Sequence, residues 1–336
     1  MPRRGHRQSG DSSARPKDRT LLSISKRRAW SAAALAALAL AACSPASTEP
    51  APPSPPAPPA PTAPPVTTSA AATPLDPAVE QEFNRLQTQH DARLGIYAVD
   101  TGSGKSIAFR ADERFAYAST FKALAAAAVL DTTTPQQLDE VVRYTAEDML
   151  ANSPITEQHL DTGMTLRDLC DAAVRYSDNT AGNLLLRHVG GPAGLDAALT
   201  AIGDDVTSVD RYEPDLNSAI PGDVRDTSTP RAMAGNLRQY VLGDALAEDD
   251  RAVLTDWLRR NTTGATLIRA GVPGDWVVGD KTGSGYYGGR NDIAVLWPPN
   301  RAPIVMAVMT SRDEPRAKRA DALLADAARV AVTALN

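Results

Sequence analysis

The chain has 336 residues, and its 35 basic and 40 acidic side chains leave a formal net charge of −5 at pH 7. That average conceals a basic leader with nine Lys and Arg against two Asp in residues 1–43, a stretch with 13 of the 26 prolines in residues 44–77, and an acidic remainder; an acidic body with 5% aromatics excludes nucleic acid, because neutralising phosphates takes clustered positive charge. Two cysteines, one of them in the leader, exclude a disulfide framework and a zinc ribbon, and His90, His159 and His188 form no i, i+4 pair, so neither a metal site nor a cofactor is expected.

In chain order, Lys26, Arg27 and Arg28 precede a fourteen-residue apolar run, 29–42, which is too short to span a bilayer as a stable helix but suits an export signal. The run ends Leu40-Ala41-Ala42-Cys43, which resembles the lipobox of bacterial lipoproteins. That resemblance implies cleavage before Cys43, a lipid on its sulfur and retention on the outer face of the cytoplasmic membrane. An ordinary signal peptide would leave the protein secreted, and the Arg27-Arg28 pair leaves twin-arginine export open. Residues 44–76 are Pro, Ala, Ser and Thr with almost nothing to bury, so they read as a semi-rigid, polyproline-like tether. Residues 77–336 then form the folded domain, long enough to bury a sizeable core.

Asp76 as N-cap, Pro77 in the first turn and Val79, Phe83 and Leu86 on one face predict a helix over 77–89. Runs at 94–99 and 106–109, joined by Asp100-Thr101-Gly102-Ser103-Gly104, predict a hairpin. Helices are expected within 120–130, 165–176, 179–188 and 251–261, strands at 276–281, 292–297 and 304–310, and a last helix from about 315 to the end. Strands at both ends with helices between them predict an α+β fold: one antiparallel sheet built from both termini, plus a helical insertion. A substrate crevice is expected where the two meet.

Four segments carry the chemistry. Ser119-Thr120-Phe121-Lys122 opens an apolar helix, and residues three apart share a helix face, so Lys122 can reach the Ser119 hydroxyl. A serine needs a base to become a nucleophile, and a neutral lysine can supply one. Alone the pattern is cheap: Ser23-Ile24-Ser25-Lys26 repeats it inside the leader, and a helix cap followed by a solvated lysine explains it as well. Ser177-Asp178-Asn179 lies between two helices, Glu213-Pro214-Asp215-Leu216-Asn217 in a loop, and Lys281-Thr282-Gly283-Ser284 at a strand end where Gly283 lets a ligand approach.

In this order, in an exported chain, the four segments resemble those of the class A serine β-lactamases. Asn152-Ser153-Pro154-Ile155-Thr156-Glu157 and Arg290-Asn291-Asp292 extend the likeness, which covers residues from about 77 to the C-terminus. It implies a five-stranded antiparallel sheet flanked by helices beside an all-helical subdomain, and hydrolysis of the β-lactam amide of penicillins and cephalosporins by a monomer. It further implies Ser119 as nucleophile, Lys122 or Glu213 as its base, Ser177 as proton relay and Glu213 with Asn217 as holders of the deacylating water. Asn179 would bind the acylamino group; Lys281, Thr282, Gly283, Ser284 and Arg290 would surround the substrate carboxylate; Arg211 and Asp226 would close the Glu213 loop by an ion pair.

Two positions depart from that pattern. Asn152 stands where many members carry an aromatic, and Ala126 faces Cys170 where some members have a disulfide, so Cys170 is expected to be a buried free thiol. A penicillin-binding DD-peptidase would share Ser119, Lys122, Ser177 and Lys281 without needing Glu213 and Asn217. A lipid-anchored binding protein that keeps the fold without catalysis is a further alternative. A Ser-His-Asp esterase would need a placed histidine, whereas His90, His159 and His188 fall in helical segments.

Overall fold

The computed structural model describes residues 75–336; the expected export signal, Cys43 and nearly all of the tether lie outside the described residues. Helix α1, Pro77–His90, starts as its sequence dictates: the Asp76 carboxylate accepts from the Ala78 amide at 2.8 Å, Pro77 occupies the first turn, and Phe83 and Leu86 are buried.

Strands β1 (Arg93–Asp100) and β2 (Ser106–Phe109) form the expected hairpin, and β3 (Val277–Ser284), β4 (Arg290–Trp297) and β5 (Ile304–Ser311) complete a sheet of order β2-β1-β5-β4-β3. All neighbours run antiparallel, and β1 pairs with β5 from Arg93 opposite Ser311 to Asp100 opposite Ile304, so the two ends of the domain meet mid-sheet. Successive side chains of a strand point to opposite faces. Ile96, Ala294, Leu296, Met306 and Val308 therefore enter one core with Phe83 and Leu86, while Ile293, Val295, Val305, Ala307 and Met309 enter the other. With both faces covered, these strands read as unbroken apolar runs.

The first core is closed by α1 and the C-terminal helix. That helix spans Asp321–Leu335 and begins six residues later than its composition suggested. The backbone before it is engaged elsewhere: Arg312 N–H donates to the Tyr287 carbonyl and Tyr287 N–H to the Pro315 carbonyl, tying this segment to the β3–β4 turn instead of to a helical ladder. The second core belongs to the helical part. Its centre is α2, Phe121–Thr132, in which every residue from Phe121 to Leu130 is buried. A helix apolar all round must be surrounded by others. Leu166–Arg175, Asn179–His188, Gly191–Ala201, Pro230–Val241 and Glu248–Arg259 supply the rest of this part. The helices Gly191–Ala201 and Pro230–Val241 were not singled out from the sequence, although Thr229 caps the second and Pro230 opens it.

Candidate active site

Ser119 sits in a tight turn, Ala118–Thr120, that leads into α2, and Ala118 holds a left-handed φ of 48°. The turn is clamped from two sides. The Thr120 hydroxyl donates to the Tyr117 carbonyl at 2.8 Å, and the Asn291 amide of β4 donates to the Ala116 and Tyr117 carbonyls at 2.8 and 3.1 Å. Gly283 lets β3 lie directly against it: a Cβ there would stand 2.6 Å from the Tyr117 carbonyl oxygen and 3.1 Å from the Thr120 nitrogen. Glycine is therefore required by a close approach of two backbones.

One helical turn on, Lys122 is the only charged residue among the ten buried residues of α2. Its Nζ lies 3.0 Å from Ser119 Oγ, 2.8 Å from the Ser177 carbonyl, 2.6 Å from Asn179 Oδ1 and 3.1 Å from Glu213 Oε1. Burial pushes its ammonium below the usual lysine value, with Glu213 the main opposing influence. Gly182 makes the space, since a Cβ there would fall 2.7 Å from Lys122 Cε.

Ser177, at φ 58°, turns its hydroxyl toward Lys281, whose Nζ donates to it at 3.0 Å and to the Thr282 carbonyl at 2.7 Å. Burial, and then the charge of Lys122, push Lys281 well below its ordinary value. Asp178, the middle residue of this segment, has a structural part. It caps the following helix through Ala181 N–H at 2.9 Å and accepts from the Ile155 and Thr156 amides at 3.0 Å each. Asn179 N–H in turn donates to the Asn152 carbonyl, so the segment 152–157 is locked to the Ser177 turn.

Glu213 reaches the same centre from its loop. Its Oε1 accepts from Ser119 Oγ at 3.2 Å, its Oε2 accepts from the Asn217 amide, and its peptide unit is held at both ends by Asn183 at 2.8 and 3.0 Å. Asn217 Oδ1 is buried and has no hydrogen-bond partner within the protein. At the neck of the loop the Arg211 guanidinium pairs with Asp226, whose buried carboxylate also accepts from the Asp210 and Arg211 amides and from Tyr117 Oη at 3.2 Å. Arg211 and Asp226 thus support the loop from its base, and Asp226 joins it to the Ser119 turn.

On β3 and β4 the Arg290 guanidinium bridges Ser284 Oγ at 2.8 Å and Asp321 at 2.9 Å. The Thr282 hydroxyl lies 2.6 Å from that of Thr263, which donates to Asn261; Asn261 donates to the buried Asp280, and Arg269 pairs with Asp280 at 2.6 Å. Sequence reasoning missed Asn183, Thr263, Asn261 and Asp280. Each acts on its partner across a long gap in sequence, and no local spacing announces such a pairing. Cys170 is a buried free thiol, pushed far above its ordinary pKa by burial, and packs in the same core as Ala126. A cavity of about 360 Å³ beside these groups is lined by Asn152, Asn179, Pro214, Asn217, Ser284 and Tyr286 among others.

Residues 78–335 match the family described as β-lactamase enzymes. The chain belongs to that family. It is 85% identical over 266 residues to a β-lactamase of Amycolatopsis lactamdurans, covering 79% of this chain and 88% of that one. It is 58% identical over 256 residues to a β-lactamase of Bacillus amyloliquefaciens, covering 76% and 84%. Among solved structures, the class A β-lactamase of Clostridium kluyveri DSM 555 superposes with a TM-score of 0.76 at 49% identity, covering 77% of this chain and 99% of that one.

For this β-lactamase, the Arg211–Asp226 pair carries a direct prediction. Arg211→Ala leaves a buried carboxylate with neutral donors only, so the loop is expected to loosen and Glu213 to move away from Ser119. A displacement near 1 Å can cost roughly 100-fold in rate. The acyl-enzyme lifetime, followed by intact mass, should lengthen; an unchanged lifetime would show that the pair does not position Glu213.

Proposed function

We propose that Ser119 is the nucleophile with which this class A serine β-lactamase hydrolyses the β-lactam amide of penicillins and cephalosporins, an activity that confers antibiotic resistance. Ser119 Oγ bonds to the carbonyl carbon, the ring C–N bond breaks, and an acyl-enzyme ester remains. The hydroxyl proton goes to Lys122 or to Glu213; both stand within about 3.2 Å of Oγ, so either can accept it. The Ser119 and Ser284 amides serve as the oxyanion hole, where one donor is worth roughly 3 kcal/mol in a comparable hydrolase. Ser177, itself bonded to Lys281, passes a proton to the departing ring nitrogen. Lys281, Thr282, Ser284 and Arg290 receive the substrate carboxylate beside Gly283. Asn179 spends one amide hydrogen on the Ala151 carbonyl, which leaves the other for the acylamino group.

Deacylation rests on the observation that carries the reading. Glu213 is 4% exposed, touches Ser119 and is bonded to Asn217, whose free Oδ1 can accept from a water aimed at the ester. A DD-peptidase has no use for that pair. Mixing the protein with a chromogenic cephalosporin while following intact mass tests this: sustained turnover is expected, and a stoichiometric burst followed by a stable adduct would show a peptidase instead.

We further propose residues 1–43 as the export signal, 44–76 as a tether and 77–336 as the catalytic domain, with Cys43 the lipid-bearing anchor of a monomer outside the cytoplasmic membrane. The lipobox-like end of the apolar run supports the anchor. Incorporation of labelled palmitate, lost in Cys43→Ala, is the expected result; an unlabelled, soluble product would mean secretion.

A further inference from the structure

The acylamino end of the cleft has an unusual charge balance. The cavity there is lined by Asn152, Asn179, Asn217, Ser284, Tyr286 and Arg319, and no carboxylate lines it among the described residues. Two of the nearby acids are already engaged. Glu213 pairs with Lys122 at 3.1 Å. Asp321 gives one oxygen to Arg290 at 2.9 Å and the other to the Thr266 hydroxyl at 2.7 Å. Arg319 is exposed and forms no direct ion pair among the described residues, although its charge helps to lower the pKa of Asp321 two residues on. Its backbone is held on both sides, by the Tyr287–Pro315 hydrogen bond before it and by the fixed Asp321 two residues after it.

Three amides, a phenol and one guanidinium, set among Leu150, Ala151 and Pro214, give this pocket donors for a polar anion. The arginine offers a planar fork of donors to a carboxylate, and the asparagine and tyrosine side chains add neutral donors around it. Asn152 itself offers no ring on which an aryl side chain could stack, which leaves Tyr286 as the aromatic side chain in the cavity wall. We propose that this end of the cleft is a subsite for an anionic acyl side chain, with Arg319 as the specificity-determining cation. The inference rests on the β-lactam hydrolysis proposed above and names a substrate class within it.

Three penicillins that share one nucleus test it: benzylpenicillin and its α-carboxy and α-amino analogues, whose side chains are neutral, anionic and cationic. The readout is the ratio of kcat/KM for the anionic over the cationic analogue in the unmutated protein and in Arg319→Ala, Arg319→Glu and Arg319→Lys. An electrostatic subsite predicts a ratio that falls about tenfold in the Ala variant, falls further in the Glu variant and recovers in large part with Lys. Added salt should shrink the ratio in the unmutated protein, since the site is open to solvent. A ratio that is the same in all four proteins overturns the subsite while leaving hydrolysis intact. Failure of the unmutated protein to turn over benzylpenicillin overturns the hydrolysis reading and this inference with it.

Discussion

Glu213→Gln is expected to give a protein that acylates and then stays acylated. The substitution keeps the side chain's size, and its carbonyl oxygen can still accept from Ser119 and Lys122, at 3.2 and 3.1 Å in the native site. Its amide nitrogen cannot accept from Asn217, so Asn217 must flip or lose that bond. A neutral amide also takes no proton from an attacking water. General base catalysis contributes about 100- to 10,000-fold, so deacylation should slow by about three orders of magnitude. Intact mass after a short incubation with a penicillin should show one acyl adduct per chain. Steady turnover within tenfold of the unmutated protein would remove Glu213 from the deacylation step.

The second large effect is expected at Lys122, and it distinguishes the two candidate acylation bases. Lys122→Met leaves the Glu213 carboxylate buried without its cation, and breaking a buried pair from one side costs about 3–5 kcal/mol unless the survivor takes up a proton. Acylation should fall by at least about 100-fold, measured as the pre-steady-state rate of adduct formation. Lys122→Arg separates charge from basicity, because a guanidinium pairs with Glu213 but does not give up its proton. Near-native acylation in that variant would assign the base to Glu213; loss in both variants would assign it to Lys122. The pH profile has a definite sign. Burial lowers the Lys122 pKa, so the neutral amine persists to lower pH than in a free lysine, and acylation through it decays as pH falls through the lowered value.

Much of this was legible in one sequence. The i, i+3 spacing placed Lys122 beside Ser119, Asp178 and Pro214 fell in the turn and loop expected of them, and the apolar runs at 292–297 and 304–310 form strands. The start of the last helix was misplaced because its composition favours helix from 315, whereas tertiary hydrogen bonds to Tyr287 hold the chain from 312 to 315 in a turn packed on the β3–β4 connection. The Asn291 clamp on the Ser119 turn was equally invisible, since it depends on the approach of β4 to a turn 175 residues earlier.

The residue types, their order and their local spacing were thus decided by the sequence alone: a nucleophile with a lysine on its own helix face, an acid and an amide four apart in a loop, and a lysine at a strand end. Those relations reach across one helical turn or one tight loop, where backbone geometry allows few alternatives. Only the tertiary structure decided that the four segments share one centre, that Lys122 and Lys281 are desolvated enough to be depressed, and that Arg319 lines a cavity with no carboxylate in its wall. Burial and charge balance are sums over neighbours distant in sequence, and they take values only once the chain has folded.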